Sequence, residues 1–123
     1  MIDREKIIKE NQCYDRLTES GYRPQGLDVK TRKVVIFKQS KESFDVFYFN
    51  SYREAVSVLL DRTAADGQKI VDYEQIKAER REDCDLLAIG NDGRQYRASY
   101  SAKLESIFYC IPRSVKVIGY IGA

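Results

Sequence analysis

Two runs of β-branched and aromatic residues, Val34-Val35-Ile36-Phe37 and Phe44-Asp45-Val46-Phe47-Tyr48-Phe49, flank the polar stretch Lys38-Gln39-Ser40-Lys41-Glu42-Ser43. Such runs favour a pleated, half-buried surface, and a short polar connector joins them as an antiparallel hairpin. Side chains alternate across a strand, so Phe44, Val46 and Tyr48 share one face while Asp45, Phe47 and Phe49 share the other. The first strand repeats the pattern, with Val34 and Ile36 on one face and Val35 and Phe37 on the other. Both faces of the hairpin are apolar. The chain must therefore cover two faces, either with its own helices or with another protein.

The rest of the chain supplies elements to pack against this hairpin. Residues 3–20 read as a helix with Ile7, Ile8, Tyr14 and Leu17 on a loose apolar face, stopped by Gly21 and Pro24. Ser51 and Glu54 form a capping box for a second helix, whose stripe is Tyr52, Ala55, Val56, Leu59, Leu60 and Thr63, with Asp66-Gly67 closing it. Residues 72–83 read as a surface helix headed by Asp72, with Tyr73 and Ile76 as its thin apolar side. A second hairpin joins residues 85–89 to 94–100 through Gly90-Asn91-Asp92-Gly93, a strong turn signal. Ser101 then heads an expected helix carrying Leu104, Ile107, Phe108 and Ile111, ended by Pro112, and a strand from Val115 to Ile121 follows. An apolar strand of this kind needs pairing or covering if it lies at a sheet edge.

The order α-ββ-α-α-ββ-α-β defines a single α+β domain over residues 1–123, mainly antiparallel sheet with helices packed on it. At 123 residues the chain suits one domain. Two hairpin-then-helix units start their helices at Ser51 and Ser101, fifty positions apart, which also fits a degenerate ββα repeat.

Composition narrows function. With 43% hydrophobic and 33% charged residues the chain is neither disordered nor built to lie within a membrane. Its longest apolar run, Val117 to Ile121, is far below the roughly 20 residues that span a bilayer. Cys13, Cys84 and Cys110 are odd in number, widely spaced and without metal or redox spacing, which points to a reducing cytoplasm and a structural role. There is no histidine, and neither GxGxxG nor GxxxxGK[ST] occurs. The commonest general base, the usual zinc ligand and the phosphate loops are therefore missing. No cofactor and no metal are expected. An enzyme resting on carboxylates or a tyrosine is the remotest of three alternatives.

Two groups of residues invite binding. The first is basic and aromatic: Arg94, Tyr96, Arg97, Tyr100 and Lys103, in or beside one strand, offer cations for phosphate and rings for base stacking. Lys30, Arg32, Lys33, Lys38 and Lys41 add a basic run without an intervening acid. The second is apolar: Val35, Phe37, Phe47 and Phe49 are candidates for a self-association or partner interface. The acidic group Glu79, Glu82, Asp83 and Asp85 lacks the loop spacing of a hard-metal site and reads as a solvated face. Phe47-Tyr48-Phe49-Asn50-Ser51-Tyr52-Arg53-Glu54-Ala55 is similar to the strand-to-helix junction of AP2-type DNA-binding domains, a match of nine residues. Those domains lay a small sheet in the major groove and support it with a helix, so the resemblance implies nucleic-acid binding. The leading expectation is a non-catalytic interaction or regulatory protein of the adaptor, immunity or inhibitor type, acting through a protein interface. The alternative is nucleic-acid or nucleotide binding by the basic hairpins.

Overall fold

Helix α1 (Arg4–Glu19) ends one residue before Ser20, and Gly21 adopts φ 90° so that the Tyr22 N–H reaches the Leu17 carbonyl at 2.9 Å. That left-handed cap is the role its glycine suits, since a side chain there would be strained. The computed structural model describes residues 4–122, and the chain is an α+β protein with two antiparallel sheets. It divides into two compact units, one running to Asp61 and the other from Arg62.

The first unit holds a sheet in the order β1-β2-β3, formed by β1 (Arg23–Leu27), β2 (Val34–Gln39) and β3 (Phe44–Phe49). Strand β1 is an addition to the expected order, because Pro24 within it reads only as a stop to the first helix. Pro24 faces Ile36, whose backbone groups bond to β3, so the missing proline N–H costs β1 no ladder bond. Gly26 takes φ 99° beside a bulge. Val34, Ile36, Phe47 and Phe49 are buried on the inner face with Leu17, Ala55, Val56 and Val58 of the unit's helices.

Ser51 Oγ accepts the Glu54 N–H at 3.1 Å and so caps α2 (Tyr52–Ala55), which continues as a π-helical turn over Val56–Leu60. The first-turn N–H groups of Tyr52 and Arg53 donate to the Glu10 carboxylate of α1 at 3.2 and 3.3 Å. A side chain from one helix thus satisfies the orphan donors of the next, and it fixes their mutual placement. Of the expected α1 stripe, Leu17 alone is buried, while Ile7, Ile8 and Tyr14 are exposed and Tyr14 meets Tyr52 edge-on at 5.6 Å. The helix stops at Leu60, six residues before the expected Asp66-Gly67, and Arg62 then turns to φ 51°. Asp66-Gly67 instead forms the tip of a small loop closed by a bridge between Thr63 and Lys69.

The second unit packs α3 (Tyr73–Glu79) with a sheet ordered β6-β5-β4-β7. Its strands are β4 (Cys84–Gly90), β5 (Gln95–Ser101), β6 (Ser106–Tyr109) and β7 (Val117–Gly122). Ile76, Leu86, Ala88, Ala98, Tyr100 and Tyr120 make its core. The segment after Ser101 is a turn followed by strand β6, where a helix was expected. Ser101 still makes the capping bond, its Oγ accepting the Leu104 N–H at 3.3 Å, but Glu105 turns to φ 49° and the chain runs back along β5. The hairpin-then-serine pattern accordingly recurs in both halves, with different sequels. Strand β7 does lie at a sheet edge, where Val71 and Tyr120 exchange two backbone bonds of 2.9 Å.

Gly119 of β7 is where a side chain cannot fit. A Cβ there would lie 2.3 Å from Ile70 Cγ2 and 2.8 Å from the Arg62 guanidinium, itself held by the Ile118 carbonyl and Asp72. Ile70 is buried and cannot yield by rotating into solvent. Gly119→Ala should therefore cost about 1–3 kcal/mol, the usual range for overpacking. A lowered urea midpoint at unchanged slope checks this, and an unchanged midpoint would refute it.

Candidate functional site

The basic and aromatic group does not assemble as one face. Tyr96, Ala98 and Tyr100 point inward from β5, and Tyr100 is 2% exposed within the core. It therefore offers no ring to a base, and its place among ligand residues is corrected. The reason is the pairing of Tyr100 with Cys84 and Ile107 on the face that Ile76 covers. Tyr96 is half-buried and its hydroxyl donates to Asp92, a bond that raises the phenol pKa and keeps an anion beside the ring. Arg97 lies on the opposite face with Ser99 and Asp85, near Phe108. Arg94 precedes β5 in the turn and Lys103 lies in the turn after it, both exposed. A cation and two aromatic rings on one accessible surface are thus not what this strand presents.

The apolar group is split between two faces. Phe47 and Phe49, expected at an interface, are core residues at 8% and 0% exposure. They oppose Ile36 and Val34 across the strand pair, and the helices cover that side. Val35 and Phe37 belong to the outer face, where they pair with Tyr48 and Val46, and Gln39 pairs with Phe44. On this face Val35, Phe37, Val46 and Tyr48 are half-buried and Phe44 is 54% exposed, its ring 5.1 Å from that of Phe37. The alternation had already placed Phe44, Val46 and Tyr48 together. What it could not decide was which face turns inward.

The same face bears on the resemblance to AP2-type domains. A sheet that reads DNA needs donors and cations toward the groove. Among the strand residues here Arg23, paired with Phe37, is the one cation on the outer face. The basic run of residues 30–41 is divided by β2: Lys30, Arg32 and Lys33 stand at one end, and Lys41 at the other. Six strand residues separate those ends by roughly 17–20 Å. Lys38 lies on the Tyr22 ring, 4.4 Å from its centroid.

The loop between β1 and β2 is well ordered by its own bonds. Asp28 Oδ2 accepts both the Thr31 N–H at 3.1 Å and the Thr31 hydroxyl at 2.7 Å, while Arg32 at φ 57° donates its N–H to the Asp28 carbonyl. Those Thr31 bonds hold the Asp28 carboxyl below its ordinary pKa, the hydroxyl bond being the larger cause. Because the folded pKa is lowered, the contribution is present above the usual carboxylate value of about 3.9 and fades as pH falls through the folded one. Thr31→Val should bring the Asp28 midpoint back toward 3.9, as read from its carboxyl carbon shift between about pH 6 and pH 2. An unmoved midpoint would contradict that assignment.

A cleft of about 450 Å³ between the starts of α1 and α2 is lined by Glu5, Lys6, Lys9, Glu10, Ser51 and Arg53. Glu10 there is engaged as the acceptor for α2. Among the described residues no group of three histidine, cysteine, aspartate or glutamate side chains is placed to hold a metal ion. Asp83 instead accepts the Ala102 N–H at 2.8 Å. The cysteines are free thiols, with Cys13 and Cys84 half-buried and Cys110 exposed, so Cys110 is not the core residue expected. Burial, and secondarily Glu10, pushes the Cys13 thiol up, away from nucleophilic use. Among the described residues no helix is long and apolar enough to cross a membrane.

No protein-family model, curated protein or solved structure matches the chain.

Proposed function

We propose that this chain is a non-catalytic interaction protein, of the adaptor, immunity or inhibitor type, that engages a protein partner through the outer face of its N-terminal sheet. The observation that carries this reading is the grouping of Val35, Phe37, Phe44, Val46 and Tyr48 on the side away from the buried residues. Completing the burial of five such side chains contributes roughly 4–7 kcal/mol, at about half the value of full burial for each. Association costs at least as much in lost motion, so the interface must also recruit its rim. Arg23 in β1, exposed and paired with Phe37 on that face, is the neighbour available for that.

Affinity capture from the cells that naturally make the protein tests this, comparing the wild type with Phe37→Asp and Phe44→Asp. Both variants should lose the captured protein at least tenfold while remaining folded by circular dichroism. Equal capture by the variants would overturn the reading.

A second reading, nucleic-acid binding, is favoured by one observation: the ordered loop presents Lys30 and Arg32, both exposed. It predicts affinity that falls with salt at a log–log slope of about −0.9 per phosphate neutralised. Arg32→Glu should abolish such binding, whereas salt-insensitive binding would count against it.

A further inference from the structure

Leu27 and Val29 are the most exposed large apolar side chains among the described residues, at 65% and 87%, and both belong to the tip where β1 turns into β2. Lys30 and Arg32 follow on the same tip, both exposed. We infer that this tip docks on an anionic lipid bilayer, with Leu27 and Val29 entering the acyl boundary and Lys30 and Arg32 resting among the headgroups.

The tip holds its shape without a partner. The Asp28 N–H donates to the Lys33 carbonyl and the Arg32 N–H to the Asp28 carbonyl, each at 2.8 Å. The Thr31 hydroxyl and N–H both bind the Asp28 carboxylate. Loop disorder therefore does not account for the exposure of Val29, and docking has little ordering to offset. These bonds also settle the charge that faces outward. Asp28, the one acid of the tip, is half-buried with Oδ2 turned to Thr31, whereas Lys30 and Arg32 stand in solvent.

The pairing of apolar and basic side chains selects the bilayer over other anionic surfaces. Nucleic acid would engage the two cations, as the second reading above requires, but phosphate contacts leave Leu27 and Val29 in water. A stable protein interface buries roughly 800 Å² a side, far more than one hairpin tip presents. A bilayer asks for neither breadth nor a shaped recess. Its fluid boundary takes up projecting apolar groups of any form, and its anionic headgroups attract the flanking cations. Each basic residue at such a surface strengthens binding about fivefold, and each methyl group buried in lipid about fourfold.

Sedimentation of the intact chain with vesicles tests the proposal, using phosphatidylcholine alone and phosphatidylcholine with about a third phosphatidylserine. The wild type should pellet with the anionic vesicles and stay in solution with the neutral ones. Val29→Ala removes two exposed methyl groups and should weaken vesicle binding at least tenfold while remaining folded by circular dichroism. Lys30→Gln with Arg32→Gln should weaken it about twentyfold. The chain has no tryptophan, so Val29→Trp supplies a lone fluorescent reporter whose emission should shift to the blue on the anionic vesicles. No pelleting with anionic vesicles, binding that Val29→Ala leaves unchanged, or unshifted emission from Val29→Trp would overturn the proposal. Tighter binding of a polyuridylate probe that is indifferent to Val29→Ala would overturn it in favour of nucleic acid. The proposal is separate from the outer sheet face: Phe37→Asp should leave vesicle binding intact, and Val29→Ala should leave partner capture intact.

Discussion

Phe49→Ala should cost about 3–5 kcal/mol, the range for truncating a large aromatic side chain in a packed core. Phe49 is fully buried and paired across the sheet with Val34, so its removal leaves a void that neighbouring strands cannot close without breaking register. An N-terminal unit of roughly 60 residues holds about 3–9 kcal/mol in all. Such a loss should therefore unfold much of that unit at 37 °C. Phe37, one face away, should behave oppositely: Phe37→Asp places a charge on the half-buried outer side and should change stability by less than about 1 kcal/mol. Chemical denaturation of the two variants side by side checks the pair. Equal losses would mean that both faces are core.

The second large effect concerns Tyr100. Tyr100→Ala should also cost about 3–5 kcal/mol, because the side chain is enclosed with Ile76, Leu86 and Tyr120. Arg97→Glu, on the other face of the same strand and exposed, should fall within about 0.5 kcal/mol of the wild type. Were Tyr100 a ligand residue on the surface, the two substitutions would have similar and small effects on thermal stability. A wild-type melting temperature for Tyr100→Ala would contradict the core assignment.

Those two contrasts also mark what a sequence can and cannot disclose here. Both hairpins, the Asn91-Asp92 turn and the Ser51 cap were legible because each rests on local chemistry: alternation, turn residues and a capping oxygen. Strand β1 was not, since Pro24 and Gly26 are breakers until a bulge and an edge position make them harmless. Leu104, Ile107, Phe108 and Ile111 have helical spacing, and only pairing with β5, a tertiary event, turns that segment into β6. The inward face of β2 and β3 was hidden for a similar reason. Phe47 and Phe37 are alike in sequence, and the helices decide between them. The same limit applied to Tyr96 and Tyr100, whose shared face was evident while its burial was not.

Docking of a protein partner on the outer face of the N-terminal sheet can be read from a photo-crosslinking benzoylphenylalanine placed at position 44, which is exposed on that face, and at position 104, which is exposed elsewhere. Irradiation in the cells that naturally make the protein should yield one discrete protein adduct from position 44, absent from position 104 and abolished by Phe37→Asp. Adducts of equal yield from both positions, an adduct with nucleic acid, or no adduct at position 44 would contradict the claim.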